Sequence, residues 1–230
     1  MARHALMRRL SERSQLDPYE ANAAAFVKRY ESVTFEDVHH SILDLLPMRR
    51  SQFLDVGAGS GRDAAALTRL GHQVHAVEPS SGLRTAAQRI HREPGIVWMD
   101  DALPDLARVR ALGIRFDFIL LSAVWMHVPP RERKRAFSSL VQLLGNRGRL
   151  AISLRIGPPD RERRMYRVKV LEVNELGQEH GVKTVRIAEQ TDTLGRAELY
   201  WVTAVFERQV EVSPVVLPQY TSRSHSKRDP

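Results

Sequence analysis

Three glycines in five residues, Gly57, Gly59 and Gly61, separate an apolar run, Phe53-Leu54-Asp55-Val56, from an alanine-rich one, Arg62-Asp63-Ala64-Ala65-Ala66-Leu67. No other stretch limits the fold as strongly. The first run reads as a short buried strand and the second as a helix, so the glycines mark a tight turn at a helix N-terminus. Glycine permits positive φ and has no Cβ, so a ligand can lie against the backbone where the first helical amides point outward without partners. That combination is a nucleotide-type site standing at the end of a strand.

The spacing narrows the choice of nucleotide. A dinucleotide fingerprint reads GxGxxG, and its third glycine lets the helix pack closely on the strand. Here Arg62 holds that place and the turn is GxGxG, with Asp55 two residues before the first glycine. An acid at the carboxyl end of the strand repels a diphosphate but accepts a hydrogen bond from an ammonium group. A zwitterionic amino-acid moiety fits better than a diphosphate, and an NAD-dependent oxidoreductase is disfavoured.

The run 55–61, Asp-x-Gly-x-Gly-x-Gly, resembles the first motif of the class I S-adenosylmethionine-dependent methyltransferases, and further features follow it in order. Glu78, with Pro79 after it, ends the next apolar run about 20 residues on, one helix and one strand away in a βαβ unit. It matches the acid that holds both ribose hydroxyls in that family. Asp100-Asp101 matches the acid that meets the adenine amine. The run 116–121 and the residues after it, Ser122-Ala123-Val124-Trp125-Met126-His127, match the fourth strand and the loop facing the methyl group. The resemblance spans residues 19–206. It implies S-adenosylmethionine as cofactor, held by Gly57, Ala58, Gly59 and Gly61 with Asp55 beneath, by Glu78 and Pro79, by Asp100 and Asp101, and by Ser122.

Apolar and amphipathic runs alternate along the chain. Strands are expected at 53–56, 73–78, 96–99, 116–121, 149–154, 182–188 and 198–206, with helices at 61–70, 81–90, 102–112, 168–180 and after Pro129-Pro130, the last with a stripe of Phe137, Leu140, Val141 and Leu144. This is the pattern of an α/β, doubly wound, Rossmann-like and mostly parallel seven-stranded sheet, with ligands at the carboxyl ends of the strands. The resemblance implies that the last strand runs antiparallel. Residues 1–47 are read as N-terminal helical cap, 48–208 as the cofactor-binding domain and 209–230 as a tail expected to be disordered. Within the first part, Thr34-Phe35-Glu36-Asp37 reads as a capping box opening a helix that Pro47 stops.

Tyr19, Ala23, Phe26 and Tyr30 share one helix face. Related enzymes carry a Tyr-Asp-x-x-Ala-x-x-Tyr segment whose aromatics cover the sulfonium. Here Tyr19 and Ala23 match, while Glu20 and Phe26 replace the Asp and the second Tyr. Covering the cofactor and merely packing the helix are both open for this face. His127, just beyond the fourth strand, is the candidate general base, since imidazole titrates near neutral pH; a structural histidine is the alternative. Trp125 and Met126 could line an acceptor pocket or sit in the core. In the segment 155–167, Arg161, Arg163, Arg164 and Arg167 around Tyr166 could clamp an acidic acceptor or form a solvated loop.

Composition removes some chemistry. Without cysteine there is neither a disulfide framework nor a thiolate zinc site, nor the nucleophile needed to methylate carbon five of a pyrimidine. No His pair has metal-ligand spacing, so no metal is expected. No apolar run approaches the roughly 20 residues of a membrane span, and a cytoplasmic location with no membrane partner is expected. The net charge of +8 would attract an anionic partner, yet acids interleave with the bases and the Asp/Asn-Pro-Pro-Tyr motif of exocyclic base-amine methyltransferases is replaced by Ser122-Ala123-Val124-Trp125. Nucleic acid is disfavoured. The expected reaction is methyl transfer to oxygen or nitrogen of a small-molecule acceptor, with an RNA or protein acceptor, or a non-catalytic cofactor-binding regulator, as alternatives.

Overall fold

The computed structural model describes residues 18–209. The first part of the expected N-terminal cap, residues 1–17, and the tail from 210 lie outside the described residues. The elements in chain order are α1 (Ala23–Tyr30), α2 (Phe35–His39) running into a 3₁₀ helix (His40–Leu45), β1 (Gln52–Val56), α3 (Arg62–Arg69), β2 (Gln73–Val77), α4 (Ser81–Ile90), β3 (Ile96–Met99), α5 (Ala107–Ala111), β4 (Phe116–Leu121), a 3₁₀ turn (Trp125–His127), α6 (Pro130–Leu143), β5 (Leu144–Ile156), α7 (Val170–Glu179), β6 (Val182–Thr191) and β7 (Tyr200–Arg208). The seven strands form one sheet in the order β3-β2-β1-β4-β5-β7-β6. Six strands run parallel, and β7 lies antiparallel to both β5 and β6. The strand order reverses between β1 and β4, and a ligand crevice belongs at that switch point.

The sheet is buried on both faces, so its central strands are nearly continuous apolar runs. Phe53, Leu54, Phe118, Ile119 and Leu121 are fully buried. One face packs on α5, α6 and α7 through Leu106, Val109, Phe137, Leu140 and Val173. The other packs on α3 and the N-terminal helices through Ala64, Leu67, Phe35 and Ile42. Three alanines in the first turns of α3, all buried, let that helix lie close against β1 and β2. The capping box predicted at Thr34 is present: Thr34 Oγ1 accepts from the Asp37 amide at 3.0 Å and the Asp37 carboxylate accepts from the Thr34 amide at 3.3 Å.

Several boundaries differ from the sequence reading, each for a local reason. The helix expected at 102–112 is confined to Ala107–Ala111, because Leu106 adopts a left-handed φ of 46° and the Asp101 carboxylate accepts from the amides of Arg108 (2.8 Å) and Val109 (3.0 Å). Leu144 opens β5 instead of ending the α6 stripe, and Val141 is only partly buried. Residues 145–148, ahead of the strand expected from 149, form an irregular entry into β5, where the register against β4 shifts. A side chain at Gly148 would stand 2.7 Å from the Phe116 carbonyl. β6 runs past its expected end at 188 to Thr191, while β7 is shifted from the expected 198–206 to Tyr200–Arg208. Their polar ends are paired with each other and brought over the carboxyl edge of the sheet.

Candidate active site

The glycine turn hangs on the end of β2: the amides of Gly57 and Ala58 both donate to the Val77 carbonyl, at 2.8 and 2.9 Å. Gly57, Gly59 and Gly61 take φ values of 74°, 57° and 85°, which L side chains adopt only with strain. A Cβ on Gly57 would lie 2.5 Å from Val124 Cγ2, and one on Gly61 would lie 2.7 Å from Trp98. Glu78 closes the turn from the side. Its carboxylate accepts from the Gly59 amide and from the Ser80 amide, both at 2.8 Å. Burial raises this carboxyl to about 7 even though the two amides pull the other way.

Behind the turn, Asp55 and Asp63 form a buried acidic pair with opposite fates. Burial tends to raise Asp63, but Arg62 at 2.7 Å and His39 at 2.9 Å hold it well below the usual carboxylate range. Burial, and then the neighbouring charge of Asp63, push Asp55 well above that range. Asp55 Oδ2 is buried without a hydrogen-bond partner.

A cavity of about 300 Å³ opens at the carboxyl ends of β1, β2 and β4, within the usual size of small-molecule sites. Of the residues expected from sequence, Tyr19, Gly57, Ala58, Gly59, Glu78, Pro79, Asp101, Ser122 and His127 line it. Three do not. Asp55, expected to meet an ammonium group, lies behind the turn. Gly61 faces Trp98. Asp100 is half exposed, between Arg84 at 3.6 Å and Arg108 at 3.7 Å, because the next residue, Asp101, is the one turned toward the α5 amides and the cavity.

Over the cavity lies an aromatic ladder. Tyr19 and Phe26 have ring centroids 4.8 Å apart, and Phe26 and Tyr30 5.8 Å apart. The Tyr19 hydroxyl pairs with His127 Nε2 at 3.0 Å, joining two residues that the sequence offered separately. Burial, then the nearby charge of Arg163, lowers His127 to about 4; it is a neutral imidazole at neutral pH. Burial and Tyr30 raise the Tyr19 phenol, so it too is neutral. The ladder is moored at both ends. Glu20 accepts from the amides of Ser81 (2.6 Å) and Gly82 (2.9 Å) at the start of α4, while Glu31 pairs with His91 at 3.1 Å and Arg62 donates to the Tyr30 carbonyl at 3.2 Å. Glu20 thereby sets an anion at the N-terminus of α4.

The arginine-rich segment divides. Arg161, Arg164, Tyr166 and Arg167 are exposed, as a solvated loop would be. Arg163 alone turns into the cavity, paired with Asp160 at 2.9 Å and hydrogen-bonded to the Tyr19 and Tyr30 hydroxyls. Trp125 is core, edge-on to Phe137 at 6.3 Å, whereas Met126 lines the cavity. The sequence reading included Arg155 only as the start of the 155–167 segment and missed Gln190, Asp192, Arg196 and Trp201; these five complete the wall. Only the strand pairing of β5, β7 and β6 brings them together. Among the described residues, no group of three His, Cys, Asp or Glu could hold a metal ion and no helix is long and apolar enough to cross a membrane.

A glycine turn at the switch point of a doubly wound sheet, with an acid closing it at the end of the second strand, defines a nucleotide-cofactor protein of the α/β class. The family model described as a methyltransferase domain matches residues 54–152. A protein-L-isoaspartate O-methyltransferase from Roseiflexus castenholzii is 36% identical over 114 residues, covering 46% of this chain and 48% of that protein; the chain spans about half the length of this curated relative. Similar solved structures include magnesium protoporphyrin IX methyltransferase from Synechocystis PCC 6803 with bound S-adenosylhomocysteine, at 17% identity and TM-score 0.64, covering 85% of this chain and 100% of that one. Another is the Burkholderia thailandensis 1,6-didemethyltoxoflavin-N1-methyltransferase, at 21% identity and TM-score 0.60, covering 91% and 90%. Residues 54–152 thus carry a methyltransferase domain, and the fold is that of class I S-adenosylmethionine-dependent methyltransferases.

Proposed function

We propose that this protein transfers the methyl group of S-adenosylmethionine to an oxygen or nitrogen of a small-molecule acceptor. One observation carries the reading: the glycine turn, Glu78 and the Tyr19–His127 pair all face a single cavity under the aromatic ladder. The residues fit the cofactor. Gly57 and Gly59 leave the backbone bare, Glu78 offers a buried carboxylate to the two ribose hydroxyls, and Asp101 with Leu103 borders the place of the adenine. The cofactor supplies an already activated methyl on sulfur, so the protein's work is alignment. The C–S bond breaks with its electron pair going to sulfur, the new bond forms from the acceptor's lone pair, and the acceptor's proton must leave.

His127 is placed for that proton. It is neutral and lies where the fourth strand meets the cavity. A base near 4 is weak. It suits an acceptor whose acidity rises sharply as the new bond forms, as with an amine turning into an ammonium. Tyr19 fixes the ring through its 3.0 Å bond. The cavity's position beneath α1 favours a small acceptor over a protein loop, although the Roseiflexus relative's name specifies a protein substrate. Calorimetric titration tests the reading: S-adenosylmethionine and S-adenosylhomocysteine should bind and NAD should not. Micromolar NAD binding with no response to S-adenosylhomocysteine overturns it.

A further inference from the structure

Three residues of the cavity wall form one row across the antiparallel end of the sheet. Arg155 of β5 is paired with Trp201 of β7, and Trp201 with Gln190 of β6. Directly paired residues project from the same face of a sheet, and all three line the cavity. Asp192 pins the indole, accepting from Trp201 Nε1 at 2.8 Å. On either side of the ring lies an unsatisfied polar atom. Gln190 donates to the Val38 carbonyl at 2.9 Å, leaving its Oε1 buried without a partner. Arg155 Nη1 donates to the Pro158 carbonyl at 2.7 Å, leaving its Nε buried without a partner.

The charges around this row do not balance. Asp160 is taken by Arg163 at 2.9 Å and Asp192 by Arg196 at 2.5 Å. Among the described residues Arg155 has no carboxylate within ion-pair distance. A partly buried guanidinium beside Arg163 and Arg196, on a residue that lines the cavity and keeps an unfilled donor, is matched by an oxyanion. We propose that the row Arg155–Trp201–Gln190 is an acceptor subsite for a small, flat molecule bearing a carboxylate or phosphate, the anionic group taking the Arg155 Nε, the ring lying on Trp201 and an N–H or O–H of the acceptor donating to Gln190. The proposal rests on the methyltransferase reading above, because it assigns the acceptor's half of the same cavity. It differs from the clamp considered in the exposed arginine loop, since Arg155 and the hairpin carry it.

The test uses the full chain saturated with S-adenosylhomocysteine and three probes of similar size: benzoate, phenyl phosphate and neutral benzamide. At least one anionic probe should bind about tenfold more tightly than benzamide, the scale of a charge-assisted bond to arginine. Which of the two is preferred separates a carboxylate from a phosphate acceptor. Arg155→Gln should erase the preference and leave S-adenosylhomocysteine affinity unchanged. Because that variant can fail to fold, a second measurement stands beside it: the anionic probe should quench tryptophan emission, and the quenching should vanish in Trp201→Phe. Absence of anion binding, equal binding of the amide, or a preference untouched by Arg155→Gln overturns the subsite. Loss of S-adenosylhomocysteine binding by the unsubstituted protein overturns the methyltransferase reading instead.

Discussion

Replacing Glu78 by glutamine should remove the pH dependence of stability that its burial creates and leave the protein less able to hold its cofactor. Burial holds the Glu78 carboxyl near 7 instead of 4.5, a displacement worth about 3 kcal/mol against the charged form. The unfolded chain loses this proton near the lower value and the folded chain near the higher one. Between them the folded state binds more protons, so stability falls as pH rises through that window, and the cost is fully present above it. Glutamine keeps one acceptor oxygen where both carboxylate oxygens accept backbone amides, so Glu78→Gln should be about 1 to 3 kcal/mol less stable than the parent near about pH 5. Glutamine carries no charge, so the parent should lose up to about 3 kcal/mol relative to the variant by about pH 8 and the deficit should close. Binding should weaken as well. An amide has one acceptor oxygen for two ribose hydroxyls, and an unpaired buried partner costs about 1 to 3 kcal/mol, a loss of about tenfold to a hundredfold in S-adenosylhomocysteine affinity. Thermal melts at the two pH values and calorimetry at the higher one check both halves. A deficit that does not shrink between the two pH values refutes the burial argument, and an unchanged affinity refutes the assignment of Glu78 to the ribose.

His127→Ala should lower turnover by about a hundredfold, as for a positioned base, while S-adenosylhomocysteine still binds; normal turnover in the folded variant removes His127 from the mechanism. Because His127 titrates at about 4, its protonation should cut turnover at saturating cofactor only as pH falls toward that value, and an acid limb near the ordinary histidine value would contradict its placement. Gly61→Ala puts a Cβ 2.7 Å from Trp98 at a φ of 85° and should cost about 1 to 3 kcal/mol; a melting temperature equal to the parent's would show that the turn relaxes freely.

The half of the site built on β1, β2 and β4 was legible because each strand is an apolar run ending in a residue that has no business in a core: Asp55, Glu78 and Ser122 announce strand ends by chemistry alone. What those ends do was less legible. Asp100 and Asp101 are neighbours in sequence, and only the capping of α5 decides which one faces the cavity. Asp55 gives no sequence sign that Asp63, one helical segment later, will share its burial. The hairpin wall was illegible for a different reason. Glu189, Gln190 and Thr191 carry no apolar alternation, and they are strand only because β7 pairs with them. Arg155 and Arg163 look alike in a run of arginines, and burial alone sorts them from Arg161 and Arg164.

The segment shared with the methyltransferase domain family stops at residue 152, one residue before Ser153, whose hydroxyl accepts from the Ala123 amide at 2.8 Å. The glycine turn, Glu78, Asp101 and Ser122 lie before that boundary. Arg155, Gln190 and Trp201 lie after it. On the proposed division of the cavity, donor and acceptor would be held by consecutive stretches of chain, joined by the Ser153–Ala123 bond, the Tyr166 amide on the Met126 carbonyl and the Arg133–Glu172 pair. A lineage could then rewrite the second stretch and inherit the first, changing what is methylated while the source of the methyl group stays fixed.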